Sequence, residues 1–385
     1  SLTGINTAFG SGTSVNTSGI ITATAFVPTT GQLSHRNMVI NGASTVSQRY
    51  GTTSTSISSS APQYVVDRFL VQTNIGSSHS HQQVADAPTG FYYSQKVTSG
   101  TGGSNAGTAF GRYRTTLEWQ DVIPQSGFGT SSAKQLVLSF YVKSSLTGTF
   151  GFTIQSYANN RAITNTYTIN SANTWERKTI VIAADTNSAW VATTAIHMEL
   201  GWDLGEGPDR GADTLNTWGG GQSGYGYDSG TKFFTQSSAT WQITGIQLEV
   251  DHTGSGVATD FEHRSFGQEL LLCQRYCFVV KGDDEDSLFT GYATDDSTFY
   301  WIVNFPTPMR AYPTYTGSSS DGRFSANNTG ADFNWSSNVF TFNNATTPNP
   351  SSMWFGVDSS SISGGQGGRV VPQNGACTLT YSAEI

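Results

Sequence analysis

The segment 201–230, GWDLGEGPDRGADTLNTWGGGQSGYGYDSG, holds the densest group of side chains able to do chemistry. Trp202, Trp218, Tyr225 and Tyr227 stand there among Gly, Asp and Asn, in what reads as a loop. Aromatic faces stack on the C–H surfaces of ring-shaped ligands, and neighbouring polar groups set the orientation. Aromatics in a loop are harder to assign to a core than aromatics on a strand. These four are therefore candidate ligand-binding residues, the competing reading being packing over a sheet end or against another subunit. Trp335 and Trp354, beside turns nearer the C-terminus, are further candidates at a tip. The same segment carries Asp203, Glu206 and Asp209. Calcium takes clustered oxygen ligands, so these three are the candidate ligands of a possible structural calcium, although they match no EF-hand loop. The acidic run at 283–286 is a second such cluster. No other cofactor is indicated.

Hydrolysis of a glycosidic bond would need two carboxylates facing each other across roughly 5 to 10 Å. Glu118, Glu199 and Asp203 lie near aromatics, but nothing in the sequence sets any two of them opposite each other. The 6 histidines form neither a zinc-protease motif nor a triad pattern. His79 and His81 alternate in a Ser-rich stretch and read as solvated. The glycine runs at 219–221 and 364–368 lack the strand–helix context of a phosphate loop. No catalytic residue is assigned, and the chain reads as a non-enzyme.

The elements that must carry these residues are β-strands. Charged residues make up only 12% of the 385 residues, against a usual share of roughly 25%. Gly, Ser, Thr and Asn replace them, and aromatics reach 12%. That mixture suits many short strands and turns, and it opposes disorder, which needs few aromatics and high charge. Net charge is −8 with no basic stripe, which argues against a nucleic-acid partner. There is no apolar run near 18 residues and hence no expected membrane-spanning helix. The chain starts at Ser1 rather than Met and reads as a processed or truncated part of a longer protein. Three cysteines make no disulfide framework, so Cys273, Cys277 and Cys377 are expected to be small core residues.

Residues 1–34 are short small-residue segments that cannot bury enough surface alone, and they suit a stem or attachment segment. Residues 35–262 read as one jelly-roll-like β-sandwich. Within it, Leu136, Leu138, Phe140 and Val142 share one strand face, as do Phe150, Phe152 and Ile154. The turn at 146–148 between these runs reads as a hairpin. Trp119, Trp175 and Trp241 sit in strand-like contexts and read as core. In WQITGIQLEV, Trp241 and Ile243 are out of phase with Ile246, Leu248 and Val250, which predicts a β-bulge at 244–245. Residues 263–275 are a helical connector starting at Ser265. The charged run 261–264 reads as a salt-bridged hinge setting the inter-domain angle. Residues 276–385 form a smaller β domain, with Phe299, Trp301, Val303 and Phe305 alternating on one strand, a hairpin within 333–343 and a closing strand at 376–385.

Three pieces resemble bacteriophage tail-fibre and other virion surface proteins, especially the marine phage type. They are RNMVINGASTVSQRY (36–50) with VVDRF (65–69); LVLSFYVKSSLTGTFGF (136–152) with TWERKTIVI (174–182); and the junction WQITGIQLEV…ATDFEHRSFGQELLLCQRY with FPTPMRA (305–311). The resemblance covers roughly residues 36 to 315 and fades in 203–236 and beyond 315. It implies a virion-attached homotrimer with a carbohydrate-binding-module-like jelly roll. Such a protein would contact other virion proteins through its N-terminal stem and host surface polysaccharide or lipopolysaccharide at its exposed face. A head decoration or adaptor with a purely structural role is the alternative, and a glycan depolymerase is a third.

Overall fold

The computed structural model describes residues 34–57, 63–156, 158–187, 190, 198–212, 214–219, 225–283, 286–295, 298–317, 322–326, 332–334, 351–358, 364–372 and 377–384. In chain order the first strands are β1 (Thr55–Ser56), β2 (Gln63–Val66), β3 (Phe69–Thr73), β4 (Ser80–Val84), β5 (Ser94–Thr98) and β6 (Gly111–Leu117). A short helix, α1 (Trp119–Ser126), follows. Next come β7 (Leu136–Ser144), β8 (Gly148–Ser156), β9 (Arg161–Ile169), β10 (Glu176–Ile182) and β11 (Met198–Asp203). The two-residue strands β12 (Gly211–Ala212) and β13 (Gly226–Tyr227) precede the long β14 (Thr240–Val250).

Two six-stranded antiparallel sheets result, in the orders β1-β4-β5-β14-β7-β10 and β2-β3-β6-β11-β8-β9. They enclose one hydrophobic core that draws residues from Met38 to Val250. The alternating runs are the reason. Leu136, Leu138, Phe140 and Val142 from β7, and Phe150, Phe152 and Ile154 from β8, are all fully buried. The expected hairpin at 146–148 is corrected. β7 pairs with β14 and β10, while β8 pairs with β11 and β9, so the chain crosses between sheets there. Both edges of each strand are taken by other partners, and the crossing lets both apolar faces look into the same core.

The bulge in β14 is present. Its register against β7 shifts between Thr244 and Gln247, and Gly245 adopts φ 63°. Trp241, Ile243, Ile246 and Leu248 are thereby all fully buried despite their phase break. Two local readings are corrected. Trp119 opens α1 half-buried rather than lying in a strand, and Trp175 is half-buried and bonded to Asp86. His79 and His81 are buried, not solvated: β4 turns His81 inward beside Val97, where burial pushes its pKa down to about 4 and leaves the imidazole neutral.

Helix α2 (Phe266–Gln274) starts at Ser265, whose hydroxyl accepts the Gln268 N–H while the Gln268 side chain accepts the Ser265 N–H. This reciprocal capping box satisfies two otherwise orphaned donors. The C-terminal strands are β15 (Cys277–Gly282), β16 (Phe289–Ala293), β17 (Thr298–Asn304), β18 (Thr314–Gly317), β19 (Gly322–Ala326), β20 (Asp332–Asn334), β21 (Ser352–Asp358), β22 (Gly367–Pro372) and β23 (Cys377–Ser382). They form a three-stranded sheet, β15-β23-β18, and a six-stranded sheet, β20-β19-β22-β16-β17-β21. Trp301, Val303, Phe305, Leu379 and Tyr381 build their core. The expected hairpin within 333–343 lies almost wholly outside the described residues. Cys273 and Cys277 are buried free thiols; the side chain of Cys377 lies outside the described residues.

The run 261–264 is salt-bridged to the connector, Arg264 lying 3.3 Å from Glu269 of α2, but among the described residues no hydrogen bond or ion pair links it to the C-terminal sheets. Glu262 accepts the Asn37 N–H at 2.9 Å, and Arg264 donates to Val39 O at 3.1 Å and to Asn37 O, so both bind the sandwich's own first segment. The domains are joined by other buried charges. Arg68 pairs with Glu384 and donates to Thr116 O at 2.6 Å, its guanidinium lying 3.4 Å from the Tyr276 ring centre. Glu118 accepts from Arg275 at 2.9 and 3.0 Å and from the Tyr276 hydroxyl at 2.5 Å. Removing one member of a buried pair leaves the other uncompensated, at a cost of about 3–5 kcal/mol. Arg68→Ala is therefore expected to lower stability by about that amount, with the C-terminal domain losing amide-exchange protection first; urea unfolding and hydrogen exchange check this.

Candidate functional site

The described parts of the segment 203–231 fold back over the outward face of the β2-β3-β6-β11-β8-β9 sheet. Strand periodicity sets what it meets there. β11 sends Met198, Leu200 and Trp202 into the core and Glu199, Gly201 and Asp203 to the opposite face. On β6, Tyr113 points inward, and Arg112 and Arg114 point outward. Gly201 lies between Arg114 and Thr153 in the register and has no side chain, so the sheet face dips there into a trough that the insert covers, with the Thr153 hydroxyl and the Tyr225 carbonyl above it.

The walls of the trough are charged and already in place. Glu199 accepts from Arg114 at 2.5 Å and from Arg112 at 3.5 Å, and Arg114 also donates to the Gln72 side-chain oxygen at 3.2 Å. Tyr225, half-buried, lies within cation–π range of two guanidinium groups, Arg112 at 4.9 Å and Arg210 at 5.3 Å. Its backbone N–H bonds to Arg210 O at 2.9 Å. The Arg112, Arg114 and Glu199 side chains keep only 11%, 17% and 10% of their surface exposed. The face of an antiparallel sheet that looks away from the core is ordinarily well solvated. Here it is a row of desolvated, oriented hydrogen-bonding groups.

The foot of the insert is held by Asp203. This buried carboxylate accepts from Lys232 at 3.0 Å and from the backbone N–H groups of Gly205, Glu206 and Tyr227. Gly226 must be glycine, because a Cβ there would stand 2.5 Å from an Asp203 oxygen. Glu206 is fully buried, and neither of its carboxylate oxygens has a hydrogen-bond partner among the described residues. Arg112 is 3.7 Å away but is shared with Glu199. Burial is the larger influence and pushes the Glu206 pKa up to about 8, with Asp203 adding to the shift.

The sequence-selected residues thus separate. Trp202 is corrected: it is fully buried, packed edge-on against Tyr113, Phe140 and Phe152, because it ends a strand instead of opening a loop. Trp218 is a half-buried anchor, with its indole N–H on Ala183 O at 2.7 Å and its ring against Phe128 and Trp190. Tyr225 reaches the trough, while Tyr227 rests over Gly151 at its edge. Trp335 lies outside the described residues, and Trp354 lies on β21 with its side chain outside them.

The three candidate calcium ligands each have other surroundings. Asp203 is bound to an ammonium group and three amides, Glu206 faces Arg112, and Asp209 sits exposed in a one-turn helix. Among the described residues, no group of three or more His, Cys, Asp or Glu side chains is placed to hold a metal ion. Glu118, Glu199 and Asp203 are each paired with a different cation, Arg275, Arg114 and Lys232. Sequence reasoning missed Arg112, Arg114 and Gln72. The available signal was GRYRTTLEW, where two arginines alternate with Tyr113 on one strand.

Several solved structures are similar in architecture. The enzymatically active domain of tailspike protein 4 of bacteriophage CBA120 is 13% identical, with a TM-score of 0.32 over 56% of this chain. That match spans only 21% of the tailspike domain's own length. A family 11 carbohydrate-binding module of a Clostridium thermocellum cellulosomal cellulase is 13% identical, with a TM-score of 0.26, covering 52% of this chain and 96% of the module. The CBM22-1 xylan-binding domain from Paenibacillus barcinonensis is 14% identical, with a TM-score of 0.24 over 54% of this chain and 92% of that domain. No family model and no curated protein matches the chain. No helix among the described residues is long and apolar enough to cross a membrane.

The state of Glu206 sets a pH dependence. Its folded pKa of about 8 lies above the ordinary 4.5, so the unfolded chain releases this proton first as pH rises. Stability from this group is therefore full below about pH 4.5 and is lost as pH rises through about 8. Glu206→Gln, which keeps the shape without the charge, is expected to match the parent in thermal midpoint near pH 4 and exceed it near pH 8.5. Calorimetric scans at the two pH values check this.

Proposed function

We propose that this chain is a non-enzymatic surface protein of a virion that binds host-cell glycans through the outward face of its sandwich. The observation that carries the reading is the Arg112–Glu199–Arg114–Gln72 row walled by Tyr225. Guanidinium, carboxylate and amide groups supply both donors and acceptors suited to sugar hydroxyls, and an aromatic wall suits a pyranose C–H face. The groups are already oriented by one another, so little ordering would be lost when a sugar binds. Residues 215 to 219 add a second strap on the same sheet, with backbone bonds to Thr164 and Ala162. The insert is therefore fixed to the scaffold, as a recognition surface requires.

The virion setting, the trimer and the host polysaccharide or lipopolysaccharide partner follow from the tail-fibre resemblance. Individually weak sites would gain strength from several copies. Binding to arrayed bacterial capsular and O-antigen polysaccharides tests the reading. Tyr225→Ala combined with Gln72→Ala is expected to weaken the response at least ~10-fold, in line with the loss of one stacking and one hydrogen-bonding group. The unfolding midpoint should stay near that of the parent. No binding by the parent, or binding unaffected by the double change, would overturn the trough as the site. Release of new reducing ends from a bound polysaccharide would overturn the non-enzymatic part.

A further inference from the structure

A second cavity lies on another part of the sandwich, where the loop before β5 approaches α2. It has a volume of about 400 Å³, within the range of roughly 300–1,000 Å³ usual for small-ligand sites. Tyr92 is 71% exposed and Phe266 is 61% exposed, and both line it. Exposed aromatics of that size carry a solvation cost unless something covers them. Tyr93 backs Tyr92 edge-on at 4.6 Å between ring centres, and Phe266 is the first residue of the capped helix, so both positions are well defined.

The chemistry of the lining is distinctive. No charged side chain contributes to it. Its polar part comes from Gln48 and Gln83 with hydroxyls such as that of Thr45. Both amide groups are locked: Gln48 Nε2 donates to Cys277 O at 2.7 Å and to the Asp67 carboxylate, leaving only its oxygen for a ligand, and Gln83 Nε2 donates to Ser44 O at 2.6 Å. Their planes are therefore set before any ligand arrives. The Thr45 hydroxyl is half-buried and makes no hydrogen bond among the described residues. Fixed amides, a spare hydroxyl and two outward aromatic faces match a molecule with C–H faces and neutral hydroxyls. They do not match a phosphate, a carboxylate or a cation, each of which needs a countercharge on burial.

We infer that this cavity is a binding site for a neutral pyranose unit, held by stacking on Tyr92 and Phe266 and oriented by Gln48, Gln83 and Thr45. It is separate from the charged trough, so either site can fail without the other. Because Gln48 bonds to the backbone of Cys277 at the start of β15, the site sits directly on the inter-domain joint.

The test is titration of the intact protein with methyl glucoside, methyl galactoside and methyl mannoside, followed by NMR of the Tyr92 and Phe266 side chains. Methyl glucuronoside serves as the charged comparison. At least one neutral glycoside is expected to shift both sets of signals saturably at millimolar concentration, with the glucuronoside weaker. Tyr92→Ala and Phe266→Ala should each reduce affinity at least tenfold, and Phe266→Trp should retain it. Both side chains are exposed, so folding should survive, and the unfolding midpoint checks this. No saturable shift with any neutral glycoside, or equal binding of the glucuronoside, would overturn the inference. So would a change in oligomeric state in Tyr92→Ala or Phe266→Ala, which would assign the patch to a second copy of the chain.

Discussion

Arg68 sits where three parts of the chain meet, and its guanidinium has no solvent to fall back on. It is held by the Glu384 carboxylate from the last strand's end, the Thr116 carbonyl from β6 and the Tyr276 ring from the junction. Arg68 itself adopts φ 73°, in the tight turn between β2 and β3. A buried charge of this kind is tolerated only if every partner arrives with good geometry. Sandwich, connector and C-terminal sheet must therefore be docked together for any of them to be fully satisfied. Glu118, with Arg275 and Tyr276, repeats the arrangement a few residues further along. Burial alone would raise the Glu118 pKa, but hydrogen bonds from Arg275 and Tyr276 outweigh it and hold the carboxyl low.

The same economy governs the outward face of the second sheet. A polar sheet face normally spends its side chains on water. Here the insert excludes much of that water and leaves Arg112, Arg114 and Glu199 to satisfy one another. The arrangement fixes side chains that are otherwise among the most mobile. Glu206 shows the limit of the scheme, since its buried carboxyl gains no hydrogen bond among the described residues and keeps its proton up to about pH 8. Charged trough and uncharged aromatic cavity therefore offer two different chemistries on one rigid scaffold.

Much of the scaffold was legible because a strand's period of two is written directly in residue types. The Leu136–Val142 alternation, the phase break answered by Gly245, and the helix start at Ser265 are local signals, and each predicts its own geometry. The candidate site was less legible. Trp202 looked like a loop residue because glycine and acids follow it, yet strand β11 runs on to Asp203. His79 and His81 looked solvated for the same reason, since serines surround them, while the inward register of β4 buries them.

The sequence alone determined that the chain is all-β, that a bulged strand is followed by a short helix, and roughly which apolar residues share a core. These follow from periodicity and capping, which act over a few residues. Only the tertiary structure decided which strands pair, that 146–148 crosses between sheets, and that Arg112, Glu199 and Gln72 form one row. It also decided that Tyr92 and Phe266 line one cavity, and that Arg68 meets Glu384 from 316 residues away. Such meetings depend on how two sheets share a single core, a constraint that no local stretch of sequence expresses.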